Sequence, residues 1–508
     1  MQYLMGVDIG TSGTKTVLFD AAGNPVASAV REYPLYQPQN GWAEQEPEDW
    51  WRAAADTMRE AVSNSGVDPR DIKGVGLSGQ MHGLVMLNAK GEVLRRSILW
   101  CDGRTAAECA EITEKVGREK LIAITANPAL TGFTAGKVLW VRKHEPELYK
   151  ECRMMLLPKD YIRYRLTGVY ATEASDAAGT NLLDVPRRRW SEEVLSILEI
   201  DGALLPKVYE SPDVTGYITK EAALLTGLDE GTPVVGGAGD NAAAAVGTGV
   251  VKEGRAFLTI GTSGVIFAHA DSVRIDPGGR VHTFCHAVPG CYTVMSCTLS
   301  AGLSLKWFRD RFFAAEMETA AGMGVDPYEL MNAQAARVPI GSNRLLYLPY
   351  LMGERSPILD PDARGAFIGL SAIHTRYDML RAVMEGVSYS QRECLDVLCG
   401  MGIVPKELLT TGGGARSTLW RQMLSDVLNR PVATVASSGE GPALGAALLA
   451  GVGAKVYKSV PEACDAVIRT NPLRQPDENS VKAYAPYYAL YKTVYPSLKA
   501  QYAALAAL

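Results

Sequence analysis

The sequence predicts an α/β protein built from two related halves, and three observations carry that expectation. The pentapeptide Ile9-Gly10-Thr11-Ser12-Gly13 recurs as Ile260-Gly261-Thr262-Ser263-Gly264. Each copy sits between two apolar runs, residues 3–8 and 16–19 at the first, 256–259 and 265–268 at the second. Short apolar runs joined by a small polar turn read as a β-hairpin. Beyond each hairpin, strand-like runs alternate with segments of helical period, the pattern of a sheet covered by helices. The second half repeats the first in outline: a hairpin, a helix, then a strand entering a glycine-rich turn.

A Gly-Thr-Ser tip has no bulk. Glycine lets the backbone take positive φ and lets a ligand come close, the hydroxyls donate hydrogen bonds, and turn amides can nest an anion. Two such tips suggest phosphate held between the halves. Two ordinary hairpins are the plainer reading of the repeat taken by itself.

Residues 1–35 read as a three-stranded meander turned at Asp20-Ala21-Ala22-Gly23-Asn24. Residues 48–62 form an amphipathic helix with Trp51, Ala54, Met58 and Val62 on one stripe. A strand over 72–77 opens into Ser78-Gly79-Gln80-Met81-His82-Gly83. Residues 105–170 are mainly helical, an insert on the first half. The strand at Val234-Val235 opens into Gly236-Gly237-Ala238-Gly239-Asp240-Asn241, and a helix follows from Ala242. The halves are expected to divide as 1–250 and 251–508. In the second, 278–292 alternates as strands about Pro289-Gly290, while 300–312 and 377–398 are helical. A strand over 408–410 enters Thr411-Gly412-Gly413-Gly414-Ala415-Arg416-Ser417. Further helices begin at Thr418 and Gly441. Tyr484, Tyr487, Tyr488, Tyr491 and Tyr495 share a helical stripe that packs back on the body.

Composition bounds the function. At 508 residues the chain exceeds one core. A net charge of −5 argues against nucleic acid or an anionic membrane as partner. No apolar run approaches the ~18 residues of a membrane span, and no basic segment precedes the first strand, so no signal peptide is expected. Nine scattered Cys without a C-x-x-C pair read as reduced thiols, hence a cytoplasmic setting.

Several residues are chemically eligible. Gly132 to Lys137 lacks the spacing of a P-loop, and Val138 stands where Ser or Thr is required, so any ATP site is of another kind. Asp8, ending the first strand, would suit Mg²⁺ through water, or is a turn carboxylate bonding its neighbours. Lys15 would reach phosphate oxygens, or is solvated. Gly412-Gly413-Gly414 would admit a phosphate or adenosine, or only close helix packing. Asp240 is a helix N-cap by position; by chemistry it is a general base at an open strand end, with Asn241 beside it for a polyol. Met81-His82 occupies a turn where α/β sheets place ligands. His282, Cys285, His286 and Cys291 do not converge if their strand alternates, which argues against zinc.

Taken together, several stretches resemble the FGGY carbohydrate kinases over about residues 3–455: Gly6-Val7-Asp8-Ile9-Gly10-Thr11-Ser12, Ser78-Gly79-Gln80-Met81-His82-Gly83, Leu99-Trp100-Cys101-Asp102-Gly103-Arg104, Leu157-Pro158-Lys159-Asp160-Tyr161, Ser175-Asp176-Ala177-Ala178-Gly179-Thr180, Gly239-Asp240-Asn241-Ala242-Ala243, Leu348-Pro349-Tyr350-Leu351-Met352-Gly353-Glu354-Arg355 and Gly412-Gly413-Gly414-Ala415-Arg416-Ser417. The resemblance implies two actin-like, ribonuclease-H-like domains with a ligand cleft between them. It implies sugar on the N-terminal half, ATP with Mg²⁺ on the C-terminal half, and a homodimer. Asp240 then matches the catalytic base; Met81, His82 and Asn241 match sugar contacts, with Trp100 and Asp102 in the same pocket. Thr11, Ser12 and Lys15 match the first phosphate loop and Thr262 the second. Gly302, Lys306, Gly413 and Ser417 match the nucleotide side, and Asp8 the carboxylate near Mg²⁺. The Gln80-Met81-His82 turn and the Asp240-Asn241 pair point to D-xylulose, phosphorylated to D-xylulose 5-phosphate. L-ribulose, gluconate and glycerol are the alternative acceptors, and an actin- or Hsp70-like ATPase switch is the alternative class. Cys101, between Trp100 and Asp102, departs from the polar residue usual there.

Overall fold

The computed structural model describes residues 1–436 and 440–508. β1 (Tyr3–Ile9), β2 (Gly13–Asp20) and β3 (Pro25–Glu32) form the expected meander. Helix α1 (Pro47–Ser65) follows, turning Trp50, Ala54, Met58 and Val62 into the core. It ends at Gly66, whose φ of 64° is the left-handed cap that glycine takes at little cost. β4 (Ile72–Gly79) then pairs parallel to β1. β5 (Val214–Tyr217) and β6 (Pro233–Val235) extend the first sheet, in the order β5-β6-β4-β1-β2-β3, and a two-residue strand, Ala238–Gly239, pairs with β4 as its seventh. Helix α2 (Asp240–Thr248) leaves the end of that sheet.

The second sheet is made of β7 (Arg255–Ile260), β8 (Gly264–Ala270), β9 (His282–Cys285), β10 (Tyr292–Thr298), β11 (Glu407–Thr411) and β12 (Val432–Thr434), in the order β9-β10-β8-β7-β11-β12. β7 pairs antiparallel with β8 and parallel with β11, and β11 parallel with β12. β1 does the same with β2 and β4, and β4 with β6. The duplication suggested by the repeated pentapeptide is therefore a repeat of topology. The second-half helices include α3 (Gly302–Phe312), α4 (Arg376–Gly400), α5 (Thr418–Leu428), α6 (Gly441–Gly453) and α7 (Glu478–Ala506). The tyrosine stripe of α7 does pack on the body: Tyr484 and Tyr491 are buried, and Tyr487, Tyr488 and Tyr495 lean on the same core. The stretch 105–170 holds five helices, and also a short strand, Met154–Leu156, that pairs with Val85–Leu87.

One connection runs against chain order. Helix α6, near the end of the second half, lies on the first sheet, its Ala443, Leu444, Ala447 and Leu448 sharing a core with Leu4, Val17, Phe19 and Val235. The approach is backbone to backbone. A Cβ on Gly6 would meet the Ala443 carbonyl oxygen at 1.8 Å, and one on Gly76 the Ala446 carbonyl oxygen at 1.9 Å. α6 also crosses α2 at two glycines: a Cβ on Gly445 would lie 1.9 Å from the Ala243 carbonyl oxygen, and one on Gly247 1.9 Å from that of Gly441.

Gly445→Val should therefore lower the unfolding free energy by about 3 kcal/mol, the upper range for overpacking a core, because the obstacle is main chain. Gly400→Ala, where an added Cβ meets nothing within 4 Å, should be neutral or gain up to ~1 kcal/mol from helix propensity. Urea unfolding of both variants measures the contrast.

Candidate active site

The two Gly-Thr-Ser tips are tight turns closed by Gly10 N–H donating to the Gly13 carbonyl and Gly261 N–H to the Ser263 carbonyl, both at 3.0 Å. At the first, Asp8 faces Lys15 across the hairpin and Ser78 across the parallel pair. The Ser78 hydroxyl donates to Asp8 Oδ1 at 2.8 Å. Burial raises the Asp8 carboxyl above its ordinary range, against this bond and the Lys15 charge. Lys15 is ion-paired with Glu440 at 2.7 Å, which joins the first tip to the residue before α6. Ser12 is exposed. Thr11 is held from three sides: its hydroxyl accepts from Trp100 Nε1 at 2.9 Å and donates to Gln80 Oε1 at 3.3 Å, and its carbonyl accepts from Gln45 Nε2 at 2.7 Å.

Asp240 opens α2 where β6 has run through Gly236–Gly239. Its Oδ1 accepts from the Asn241 amide at 2.7 Å and from Asn241 Nδ2 at 3.0 Å. Its Oδ2 makes no hydrogen bond among the described residues. Burial, then the charge of Asp8, pushes its carboxyl up to about 7. A Cβ on Gly239 would press on Met81 Cγ at 2.9 Å, so the glycine is what admits Met81 beside Asp240.

His82 has φ of 70°, unusual for a residue with a side chain. Three contacts impose it. Lys137 Nζ and Thr134 Oγ1 donate to its carbonyl at 2.7 and 3.1 Å, and the ring lies 4.5 Å from Phe133, stacked. Nδ1 is 2.7 Å from the Gly179 carbonyl, which can only accept, so Nδ1 carries the proton. Burial, aided by Lys137, pushes the imidazole down to about 3. Nε2 is left as a lone-pair acceptor for a hydroxyl. Lys137 itself is pushed down to about 7 by burial.

The nucleotide-side residues come together around a cavity of about 620 Å³ lined by Gly261, Thr262, Gly302, Lys306, Gly413 and Ser417, with Asn332 and Tyr328 opposite. The start of α3 sits on the second tip: Gly302 N–H donates to the Gly261 carbonyl at 2.8 Å, and a Cβ there would lie 2.3 Å from that oxygen. Ser417 caps α5 and donates to Asn332 Oδ1 at 3.0 Å. Lys306 stands exposed at the mouth.

Asp102, expected in the sugar pocket, is fully buried. Arg104 makes three bonds to it, two from the guanidinium at 2.9 and 2.6 Å and one from its amide at 2.9 Å, and the Ala43 amide a fourth at 2.6 Å, so its oxygens are engaged in holding the loop that carries Trp100. His282 bonds Asn127 and Cys285 the Val185 carbonyl, so neither turns to the other.

The structure adds a group that residue-type reasoning left without a role. Lys159 lies 2.8 Å from Asp160, 3.2 Å from Glu173 and 3.0 Å from Asp176, and Arg163 pairs with Asp160; all five are buried. Burial pushes the Asp176 carboxyl up, against the charge of Lys159. The cluster's outer atoms grip the strand end before Asp240. Arg163 Nη1 donates to the Gly236 carbonyl at 2.6 Å, and the Gly239 amide donates at 3.2 Å to Ser175, itself bonded to Glu173. Lys159, Asp160, Ser175 and Asp176 all lie in stretches that carried the family resemblance.

A tip from each half, an open carboxylate at a glycine-walled strand end and a nucleotide-sized cavity together describe a phosphotransferase of the duplicated actin-like fold. The chain belongs to the FGGY family of carbohydrate kinases: the family's N-terminal domain matches residues 3–247 and its C-terminal domain residues 256–454. It is 41% identical to a xylulose kinase of Bacillus subtilis over 98% of both chains. It is 39% identical to a xylulose kinase of Escherichia coli over 97% of this chain and 99% of that one. A solved xylulose kinase from Rhodospirillum rubrum superposes with a TM-score of 0.91 at 31% identity, covering 99% of this chain and all of the other. Among the described residues no helix is long and apolar enough to cross a membrane.

Burial of His82 has a direct readout. Its imidazole should remain neutral, with no titration between about pH 5 and 8 in ¹H–¹⁵N spectra, where an ordinary histidine titrates near 6.5. An inflection near the ordinary value would contradict the burial and the Gly179 bond.

Proposed function

We propose that this kinase transfers the γ-phosphoryl group of ATP to the 5-hydroxyl of D-xylulose, with Asp240 as general base. The observation that carries the assignment is Asp240: a carboxylate with one oxygen free, raised to about 7 at a strand end walled by glycine, beside Met81 and within the field of Asp8. The full-length likeness to xylulose kinases supports the ketopentose.

In this reading the sugar lies against Met81, His82 and Asn241, with His82 Nε2 accepting from a hydroxyl. Asp240 Oδ2 takes the proton of the attacking hydroxyl as the oxygen reaches the phosphorus in line. The Thr11 amide and the Ser12 hydroxyl from one tip and Thr262 from the other donate to the transferred group, and Lys15 exchanges Glu440 for a phosphate oxygen. Phosphoryl transfer needs positioning and charge stabilisation more than covalent help. The adenosine occupies the cavity of Lys306, Gly413 and Ser417. Asp8 fits a Mg²⁺ ion: a buried carboxylate with one oxygen on Ser78, adjacent to Asp240. Such an ion, when bound, offsets phosphate charge. Trp100 closes the first tip, and Asp102 acts through it as a positioning residue. Closure of the cleft limits ATP loss to water. We take the chain to act as a cytoplasmic homodimer, as in the family it resembles; sedimentation velocity measures the oligomer.

Asp240→Asn should lower kcat by roughly 10²–10⁴-fold, the usual worth of a general base, with ATP binding retained by calorimetry. Near-normal turnover in that variant would remove the assignment. Because the free carboxyl titrates at about 7, kcat/KM for the sugar should rise with pH and level off above that value. Asp8→Asn, by removing a neighbouring negative charge, should move the inflection to lower pH. A panel of D-xylulose, L-ribulose, gluconate and glycerol in an ADP-release assay tests the acceptor; a preference for gluconate or glycerol would overturn it.

A further inference from the structure

Arg355 belongs to a family-like stretch, yet none of the roles above uses it. Its main chain is pinned at the end of β10. Ser356 N–H donates to the Cys297 carbonyl at 3.1 Å and Cys297 N–H to Ser356 Oγ at 3.2 Å. Glu354 Oε1 accepts from the amides of Leu299 and Arg355, both at 2.8 Å. β10 carries its Met295 opposite His282 of β9. His282 and Phe284 meet Phe133 and His82 of the first half: Phe133 lies 5.9 Å from His282 and 6.1 Å from Phe284, and 4.5 Å from His82. The strand that anchors the Arg355 loop at Cys297 thus carries, two residues back, the partner of His282 in the aromatic wall that meets His82.

The guanidinium is half-buried. Among the described residues it makes no hydrogen bond and no carboxylate lies within ion-pair distance. Glu354, its neighbour, is pushed up to about 8 by burial, so it does not serve as counter-ion at neutral pH. The cation's field is felt at both imidazoles: it is the cause next to burial that holds His282 at about 3, and a smaller one at His82, after burial, Lys137 and His282. Its nitrogens are not among the buried atoms left without a partner, so they reach solvent and the five donors are open to a ligand oxygen. A planar fork of donors suits two oxygens on adjacent carbons, or a carboxylate.

We propose that Arg355 binds the end of the acceptor remote from the transferred phosphate, the 1-hydroxyl and 2-keto oxygens of D-xylulose, and that the same fork lets the pocket hold a five-carbon sugar acid by its carboxylate. This rests on the reading of the site as a ketopentose kinase. Arg355 is then a specificity residue: it acts on sugar affinity and not on the nucleotide.

The test uses the full-length enzyme with D-xylulose, ATP and D-xylonate, whose third and fourth carbons match those of D-xylulose. Wild type should show D-xylonate inhibition competitive with D-xylulose. Arg355→Gln should raise KM for D-xylulose about 10–100-fold, the worth of a charged hydrogen bond, leave KM for ATP within about twofold, and abolish D-xylonate inhibition. Arg355→Lys, which keeps the charge and loses the fork, should fall between and answers the question if the Gln variant does not fold. An unchanged KM for D-xylulose, a matching rise in KM for ATP, or no competition by D-xylonate in wild type would overturn the proposal. Absence of D-xylulose turnover in wild type would instead refute the kinase reading beneath it.

Discussion

The close approach of helix α6 to the first sheet is the constraint on which the site depends. Gly6 and Gly76 let the helix main chain descend onto β1 and β4, and Gly445 and Gly247 let it cross α2 at contact distance. Alanine and glycine at such a crossing trade side-chain area for proximity; the gain is many short dispersion contacts across a flush surface. Two parts of the site follow from it. α2 begins with Asp240, so its crossing with α6 sets where that carboxylate stands. Glu440 precedes α6, so the same helix delivers the carboxylate that holds Lys15 at the first tip.

Around that frame the site tunes its groups by burial more than by opposite charge. Asp240 is lifted to about 7 and Asp176 is lifted too, while His82 falls to about 3 and Lys137 to about 7, and in each case desolvation is the largest cause. The outcome is a carboxylate able to accept a proton near neutrality and an imidazole that stays an acceptor. The buried Lys159 cluster belongs to the same economy of charge. A dry ionic cluster is weak support for stability, but here its outer bonds end on Gly236 and Gly239, the backbone that aims Asp240. Glycines free of side-chain contacts would leave that strand end loose; Arg163 and Ser175 supply the restraint that Cβ atoms would otherwise give.

Much of this was legible beforehand, for identifiable reasons. A hairpin with a Gly-Thr-Ser tip is a local object: apolar alternation sets its strands and small residues its turn, so both copies read correctly. The helices over 48–62 and 377–398 declared themselves by period, and the structure extends each by only a few residues, as Pro47–Ser65 and Arg376–Gly400. Asp240 stood out because a carboxylate after a run of glycines is chemically open. Other residues were legible in type but not in role. Asp102 is a carboxylate in a family-like stretch, yet its neighbour Arg104 and the distant Ala43 amide engage it. Lys137 looked like a failed phosphate-loop lysine and instead holds the His82 carbonyl.

The sequence by itself determined the α/β class, the duplication and the two Gly-Thr-Ser tips, and it singled out Asp240 as the candidate base, because these depend on residue type and on spacing within a few turns or strands. Only the tertiary structure decided which charges are paired, which are stranded and which helix covers which sheet. Those outcomes depend on distances between residues tens to hundreds of positions apart, such as Lys15 with Glu440 or Gly6 with Ala443, and on desolvation, which no local pattern records.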